Sequence, residues 1–533
     1  MEEQFDFVIV GAGSAGCVLA NRLTESGRYR VLLLESGGEH DRFFVRMPLG
    51  MSFLFANPKV NWMYTTEPGS DGKTHFWPRG KILGGSSSIN AMVYIRGQRE
   101  DYDEWAALGN RGWDYESVLP YFVRSEENDT FADPYHGSSG PLKVSSILKT
   151  AHPVAWTIAS AAIEAGYPAN DDFNGAEQIG SGPFQFSFRN ARRSSAATAF
   201  LDPARGRSNL TVRTGADVTR IIFADREAVG VEYRHQGRLK QARAGRETIL
   251  SAGSINSPMI LQHSGIGPAP LLRNLGIAVR QDMPGVGANL QDHVESTMGF
   301  EINQPALGRR LRSPLARLLS GMQYVFLKRG PLAMSYNHTG AFVPAEGRTG
   351  RPDLQLYFLP MLSVVTPAGA AIAPFDGISL GASPLRPKSR GRIEIKSADP
   401  FAKPAIHANY FDDPEDLEML VAGLKIQRRI AHTAPLSEII TRHITFPSGE
   451  VSDEEIRAHA RSNYKTTFHP VGTCKMGSDP ADAVVDDRLR VHGFGRLRVI
   501  DASIMPLIPS GNTNAGAIMI GEKGSGLGLA ADN

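Results

Sequence analysis

The sequence predicts an α/β domain of the doubly wound type, interleaved with an α+β domain built on an antiparallel sheet backed by helices. Three observations carry that reading. Residues 5–35 run strand, glycine-rich turn, helix, strand. The α/β texture returns over residues 192–267, and again in a short apolar run at Leu497–Ile500. Residues 300–460 differ, with well-separated apolar runs and then a helix-rich stretch from Pro414 to His432.

Each element has a local reason. Phe5–Val10 is apolar and β-branched, as a strand buried on both faces must be. Beyond Gly11–Gly16, Val18, Leu19 and Leu23 recur at helical spacing, with Gly27 as a stop. Val31–Glu35 is the next strand and completes a βαβ unit. Leu210–Val212, Val218–Ile222 and Glu247–Leu250 read as further strands. Leu354–Leu359 and Gly391–Ile395 read as strands of the antiparallel sheet. A Pro- and Asn-rich turn and a Gly-rich helix close the chain. No solenoid repeat and no flexible linker marks a cut. The expected division is therefore interleaved: residues 1–145, 192–297 and 466–533 in the first domain, 146–191 and 298–465 in the second.

Composition narrows the function. Of 533 residues, 41% are hydrophobic and 21% charged, which excludes a disordered chain. Lys plus Arg is 57 against 55 for Asp plus Glu, so no electrostatic footprint for nucleic acid exists. Two cysteines, Cys17 and Cys474, exclude a disulfide scaffold and a four-cysteine zinc site. The 14 histidines lack ligand spacing, so no metal is expected. No secretory leader and no run of 18 apolar residues is present, so the expectation is a cytoplasmic protein without a transmembrane segment. Peripheral membrane contact stays open, because an amphipathic surface does not register in such counts.

Gly11-x-Gly13-x-x-Gly16 sits between strand and helix, and Glu35 ends the next strand about 20 residues on, the spacing of a Rossmann-like dinucleotide site. Gly11 permits the tight turn, Gly13 lets backbone approach a pyrophosphate, and Gly16 lets helix and strand pack. Ser14 and Ala15 open the helix, whose free N–H groups attract phosphate. Glu35 can accept from both ribose hydroxyls, and its charge repels a 2′-phosphate, which disfavours NADP. The motif alone does not separate FAD from NAD.

Two longer stretches add to this. One runs from Gly80 through Gly84-Gly85-Ser86-Ser87-Ser88-Ile89-Asn90 to Tyr94, Gly97 and Asp103; the other is Gly253–Gly267. With His469-Pro470-Val471-Gly472-Thr473, Asp501-Ala502-Ser503 and Asn512-Thr513-Asn514, they resemble the signature patterns of the glucose–methanol–choline (GMC) oxidoreductases. The resemblance spans Phe5 to about Lys523, and is strongest to the bacterial choline-dehydrogenase-like alcohol dehydrogenases.

That resemblance implies FAD. It implies that Gly84, Gly85, Ser86 and Asn90 pass along the pyrophosphate and isoalloxazine, that Val218 meets the adenine, and that Asp501 and Ala502 lie near the ribityl chain. Some relatives tether FAD through a histidine in this segment. Here Ile89 precedes Asn90 and no histidine lies between His75 and His136, so noncovalent FAD is expected. The resemblance also makes His469 and Asn512 the catalytic pair, and implies oxidation of a primary alcohol to an aldehyde, with electrons passed to a quinone, a cytochrome or O₂.

The residue types suit that chemistry. Moving the hydroxyl proton fully to imidazole first, from pKa ~15.7 to ~6.5, costs about 12 kcal/mol. A turnover of ~10 per second allows a total barrier of ~16 kcal/mol. Proton and hydride must leave nearly together, or the site must stabilise the alkoxide. Histidine serves as base and resets near working pH, and an Asn512 N–H can steady the oxygen. The alternatives are an oxygen-using oxidase, a lyase or light-driven decarboxylase on the same scaffold, and a non-enzymatic dinucleotide sensor. Phe53, Phe55, Trp62 and Tyr64 read equally as a lid or as packing between domains, and Phe468 as a flavin-edge or core residue. Tyr357 and Phe358 hint at an aromatic pocket.

Overall fold

The computed structural model of the protein describes residues 3–366 and 369–529. Its first sheet has seven strands. Leu210–Thr214, Val31–Glu35, Glu3–Val10 and Arg238–Leu250 lie side by side in parallel, and Leu497–Val499 joins Arg238–Leu250, also parallel. Register puts Val10 between Leu34 and Leu250, so three strands end together at one edge. Phe7–Val10 and Val31–Glu35 are fully buried, as strands covered on both faces should be. Arg238–Leu250 then continues into an antiparallel meander with Glu227–His235 and Ala216–Ala224. Helices Ser14–Thr24 and Asn514–Leu529 pack together against this sheet.

The second sheet is antiparallel throughout. Its order is Ile440–His443, Val294–Ile302, Gly377–Pro384, Leu354–Leu359, Thr339–Val343, Gly180–Pro183, with Tyr464–Thr466 paired on Val294–Ile302. Strand alternation sorts its residues. Leu354, Leu356 and Phe358 enter an apolar core with Leu417, Leu420 and Leu424 of helix Pro414–Ala431, while Tyr357 and Leu359 turn to the opposite face. Phe358 is thus core, and Tyr357 faces the cavity. A small sheet joins Val93–Tyr94, Gln185–Phe186, Leu142–Ser146 and Glu126–Asn128, so neighbours in space come from well-separated stretches of chain.

Two details depart from expectation. Arg392–Glu394 is not in the large antiparallel sheet. It pairs only with Ala405–His407, and Ile393 and Ile406 pack under Tyr64, Ile255 and Met259. An isolated apolar–polar alternation says "strand" without saying which sheet. Val294–Ile302 also begins before the expected boundary at 298, because one strand carries the chain from the first region into the second sheet.

Candidate active site

The parallel strands end at a cavity of about 1530 Å³ that reaches across to the cavity-facing side of the antiparallel sheet. This exceeds the ~300–1,000 Å³ of an ordinary small-molecule site and suits a dinucleotide plus a substrate. Gly11, Gly13, Ser14, Ala15, Glu35, Gly85, Ser86, Asn90, Val218, Asp501 and Ala502 all line it, together with His469 and Asn512. Of the residues expected at the site, Gly16 and Gly84 do not line it. A Cβ on Gly16 would lie 1.9 Å from the Gly11 carbonyl oxygen, so this glycine serves helix–turn packing. Gly84 turns the chain at φ +86°, packed beside Ser88 and Ala197.

The first turn is shaped for an anion. Gly11 holds φ +98°, which only glycine adopts without strain. Helix Ser14–Thr24 starts at Gly13 with no side-chain cap, so its first N–H groups face the cavity unpaired by a side chain. Ser14 Oγ donates to Asn514 Oδ1 at 2.7 Å, fastening this turn to the last helix. Glu35 accepts from the Ala12 N–H (2.9 Å) and the Gly37 N–H (2.8 Å). Burial nevertheless pushes its carboxyl up to about 7. Asp501 accepts from the Gly253 N–H (2.9 Å), Ser257 Oγ (2.6 Å) and the Ser503 N–H (2.8 Å), which holds Ala502 against the cavity.

The two side chains expected to react are brought together by the tertiary fold. Asn512 Nδ2 donates to His469 Nε2 at 3.0 Å. Gln355 Nε2 donates to Asn512 Oδ1 (3.3 Å), and the Tyr357 hydroxyl donates to Gln355 Oε1 (2.9 Å). On the other side of the imidazole, His469 Nδ1 lies 3.2 Å from His293 Nδ1 and 2.9 Å from Thr467 Oγ1. His293 Nε2 sits 2.9 Å from the Leu385 carbonyl, which can only accept. Burial lowers the His293 pKa to about 4, so this ring is neutral and its one proton is on Nε2. Its Nδ1 must then accept, and His469 must carry its own proton on Nδ1. His469 Nε2 is therefore unprotonated, and its lone pair accepts from Asn512 within the cavity wall.

Electrostatics agree. Burial first, then His293 and Arg79, hold His469 well below the usual imidazole value of ~6.5. The expectation was an imidazole that titrates near working pH; burial instead favours the neutral ring. Its backbone N–H donates to Asp292 Oδ1 at 2.6 Å, and Asp292 also accepts from Thr466 Oγ1 (2.6 Å) and Tyr410 (2.5 Å). Phe468 precedes it at φ +68°, held by Arg79 Nη2 on its carbonyl (2.6 Å) and by Thr466 Oγ1 on its N–H (2.8 Å).

His293, Asp292, Gln355 and Arg79 were not singled out from sequence. The adjacent Asp292-His293 pair is the one sequence signal from which two of them could have been found. The four aromatics divide. Tyr64 is core and donates to Asn256 Oδ1 at 2.7 Å, with Trp62 stacked on it. Phe55 meets Phe468 edge-on, and Phe53 stands exposed at the cavity mouth.

The wall fits a dinucleotide cofactor on its own features. The cavity meets an uncapped helix N-terminus, and the buried Ser254 Oγ and His263 Nε2 in its wall have no protein partner. A dinucleotide-binding oxidoreductase is the class that this fold and site define. Profiles of the GMC oxidoreductases match residues 5–295 and 387–521. The chain is 43% identical over 524 residues to an alcohol dehydrogenase (acceptor) of Pseudomonas putida, covering 97% of this chain and 94% of that one. It is 40% identical to the mitochondrial choline dehydrogenase of Homo sapiens, covering 98% and 90%. Among solved structures, pyridoxine 4-oxidase from Mesorbium loti superposes with a TM-score of 0.89 at 31% identity, covering 98% of each chain. Formate oxidase from Aspergillus oryzae RIB40 superposes with 0.92 at 26%, covering 99% of each. The chain belongs to the GMC oxidoreductase family and is a FAD-dependent oxidoreductase acting on CH–OH donors.

Proposed function

We propose that this enzyme oxidises an uncharged primary alcohol to its aldehyde and passes the electrons to an external acceptor. The observation that carries this is the unprotonated His469 Nε2 accepting from the Asn512 N–H at 3.0 Å in the cavity wall. An alcohol oxygen that displaces this hydrogen bond gives its proton to Nε2 and accepts from the Asn512 N–H it frees. FAD, when bound, supplies the hydride acceptor. Because His469 is a weaker base than free imidazole, full proton transfer ahead of hydride loss costs more than ~12 kcal/mol. That takes most of a ~16 kcal/mol barrier, so proton and hydride leave nearly together or the site stabilises the alkoxide. Asn512 steadies the partial charge that remains on oxygen.

Substrate charge follows from the same cavity. Glu295 lines it, but Lys465 Nζ lies 2.9 Å from its carboxylate, so a cationic alcohol such as choline meets an anion already neutralised. Tyr357, Leu359 and Met361 add apolar surface. Noncovalent FAD is part of this proposal, supported by the apolar Ile89 in the cavity wall beside Asn90. So are the cofactor contacts assigned to Glu35, Ser86, Val218 and Asp501. The names of the solved neighbours favour a second reading, an oxidase using O₂, which rapid reoxidation of reduced enzyme by air would reveal.

Anaerobic rapid mixing tests the pair directly. His469→Ala should keep its flavin and slow flavin reduction by ~10²–10⁴, the range of a lost general base. Asn512→Ala should slow it less. The parent rate should stay flat through neutrality and fall only in acid, well below pH 6.5, as His469 takes up a proton. Parent-like reduction in His469→Ala would remove it as base.

A further inference from the structure

Helix Pro314–Leu327 is inside out. Leu315, Leu318, Leu319, Met322, Val325 and Phe326 recur at intervals of three and four, which places them on one face. That face is the exposed one: Leu315 is 65% exposed and Phe326 76%. The face turned to the protein buries only Ser320 and Tyr324, whose hydroxyls donate to the Arg310 and Ala191 carbonyls. A helix on a water-facing surface arranges these faces the other way round. Phe43, Phe44 and Phe53 extend the apolar surface. Phe43 meets Tyr324 edge-on at 6.0 Å, Phe44 stacks on Phe53 at 4.6 Å, and all three phenylalanines are exposed. They also line the mouth of the active-site cavity, as do Arg317 and Gly321 of the helix.

Charge identifies what covers it. From Ile302 to Ala345 the chain holds no Asp or Glu, but six basic residues: Arg309, Arg310, Arg312, Arg317, Lys328 and Arg329. Arg309 and Arg312 pair with Asp376. Among the described residues no carboxylate pairs with Arg310, Arg317, Lys328 or Arg329. In a protein of net charge +2, a basic apolar patch of this kind is a local feature. Apolar side chains flanked by unpaired cations are the chemistry of a helix that lies in the interface of an anionic bilayer. A second copy of this patch would bring like charges together.

We propose that helix Pro314–Leu327, with Phe43, Phe44 and Phe53, docks the enzyme onto an anionic lipid surface as a monotopic protein. The cavity mouth then opens at the bilayer. For the reaction proposed above, on which this consequence rests, apolar alcohols and lipid-soluble acceptors would enter from the membrane.

Sedimentation of the holoenzyme with vesicles tests the docking without reference to turnover. It should pellet with phosphatidylcholine vesicles containing phosphatidylglycerol, far less with phosphatidylcholine alone, and less again in high salt. The triple variant L315S/L319S/F326S should lose at least tenfold in apparent vesicle affinity, and R310E/K328E/R329E should lose the preference for anionic vesicles. Neither triple touches the cavity wall, so dye-linked oxidation of a short soluble alcohol without vesicles should be unchanged in both. Three results would overturn the proposal: a parent that stays in the supernatant with anionic vesicles, a serine variant that pellets like the parent, or a parent dimer that the serine variant converts to monomer.

Discussion

His469 Nε2 is unprotonated because the Leu385 carbonyl fixes the proton of His293, and His293 with Thr467 in turn fixes the proton of His469. His293 is a positioning residue, and its removal has a signature in pH. His293→Leu should slow flavin reduction about fivefold, the effect of losing an orienting hydrogen bond of ~1 kcal/mol. It should also move the acid fall of the rate upward, since His293 contributes to the lowered pKa of His469. His293→Gln, which keeps an acceptor, should recover part of the rate. Glu35 gives a second residue-scale prediction. Its buried carboxyl sits at about 7 without ligand, whereas ribose hydroxyls donating to it favour the ionised form. Cofactor binding must then expel a proton below pH 7. FAD retention, measured by flavin fluorescence on dilution, should weaken by up to about tenfold per pH unit on acidification from pH 7, the limit for one proton. Glu35→Gln should bind more weakly at pH 8 and show no such slope.

Elements carry the site because their ends are pinned. Helix Ser14–Thr24 can reach the cavity only with no side chain at Gly16, where a Cβ would overlap the Gly11 carbonyl oxygen. Gly16→Ala should destabilise by about 1–3 kcal/mol through overpacking and tilt the first turn, giving colourless protein with a lowered Tm. A second element-scale device lies at the end of helix Tyr115–Ser125. Burial opposes charge on His136, but Asp172 (2.9 Å) and Glu126 (3.3 Å) outweigh it and raise the pKa to about 9. A histidine with a raised folded pKa stabilises fully below its unfolded value of ~6.5, and that contribution is lost as pH rises through 9. Tm should therefore decline between pH 6.5 and 9, and the decline should flatten in His136→Gln. Asp172 also accepts from Gln185 Nε2 at 2.6 Å, which fixes it beside the imidazole. Strands were legible at this scale where alternation is clean, as in Leu354–Leu359. Arg392–Glu394 was legible as a strand but not as a separate ribbon, because period-2 patterning reports a face and not a partner.

At the scale of the whole molecule, the two sheets cannot be separated by cutting the chain. Gly180–Pro183 is the edge strand of the antiparallel sheet, although most of that sheet follows residue 294. Residues 298–465 expressed alone would lack this edge and the start of Val294–Ile302, and should be insoluble or lack a cooperative melt. The intact protein should be stabilised by its cofactor by about 2.7 kcal/mol when FAD is present at 100 times its Kd, so calorimetry with and without added FAD should show Tm rising with ligand. No helix among the described residues is long and apolar enough to cross a membrane.

The sequence by itself determined the βαβ unit, the glycine turn, the acid at the end of the second strand and the membership of the family. Those signals are local: a strand, a turn and a helix N-terminus are set by residues within a few positions of one another. It also singled out His469 and Asn512 as the proposed reacting pair, through motifs that resemble the family's. Only the tertiary structure brought those two within 3.0 Å and supplied His293, Thr467 and Gln355 to orient them. Only the tertiary structure, too, turned the apolar face of Pro314–Leu327 outward, since helical periodicity is the same whichever face meets the protein. The protonation of His469 depends on burial and on groups distant in the chain, and no spacing rule encodes a desolvation energy.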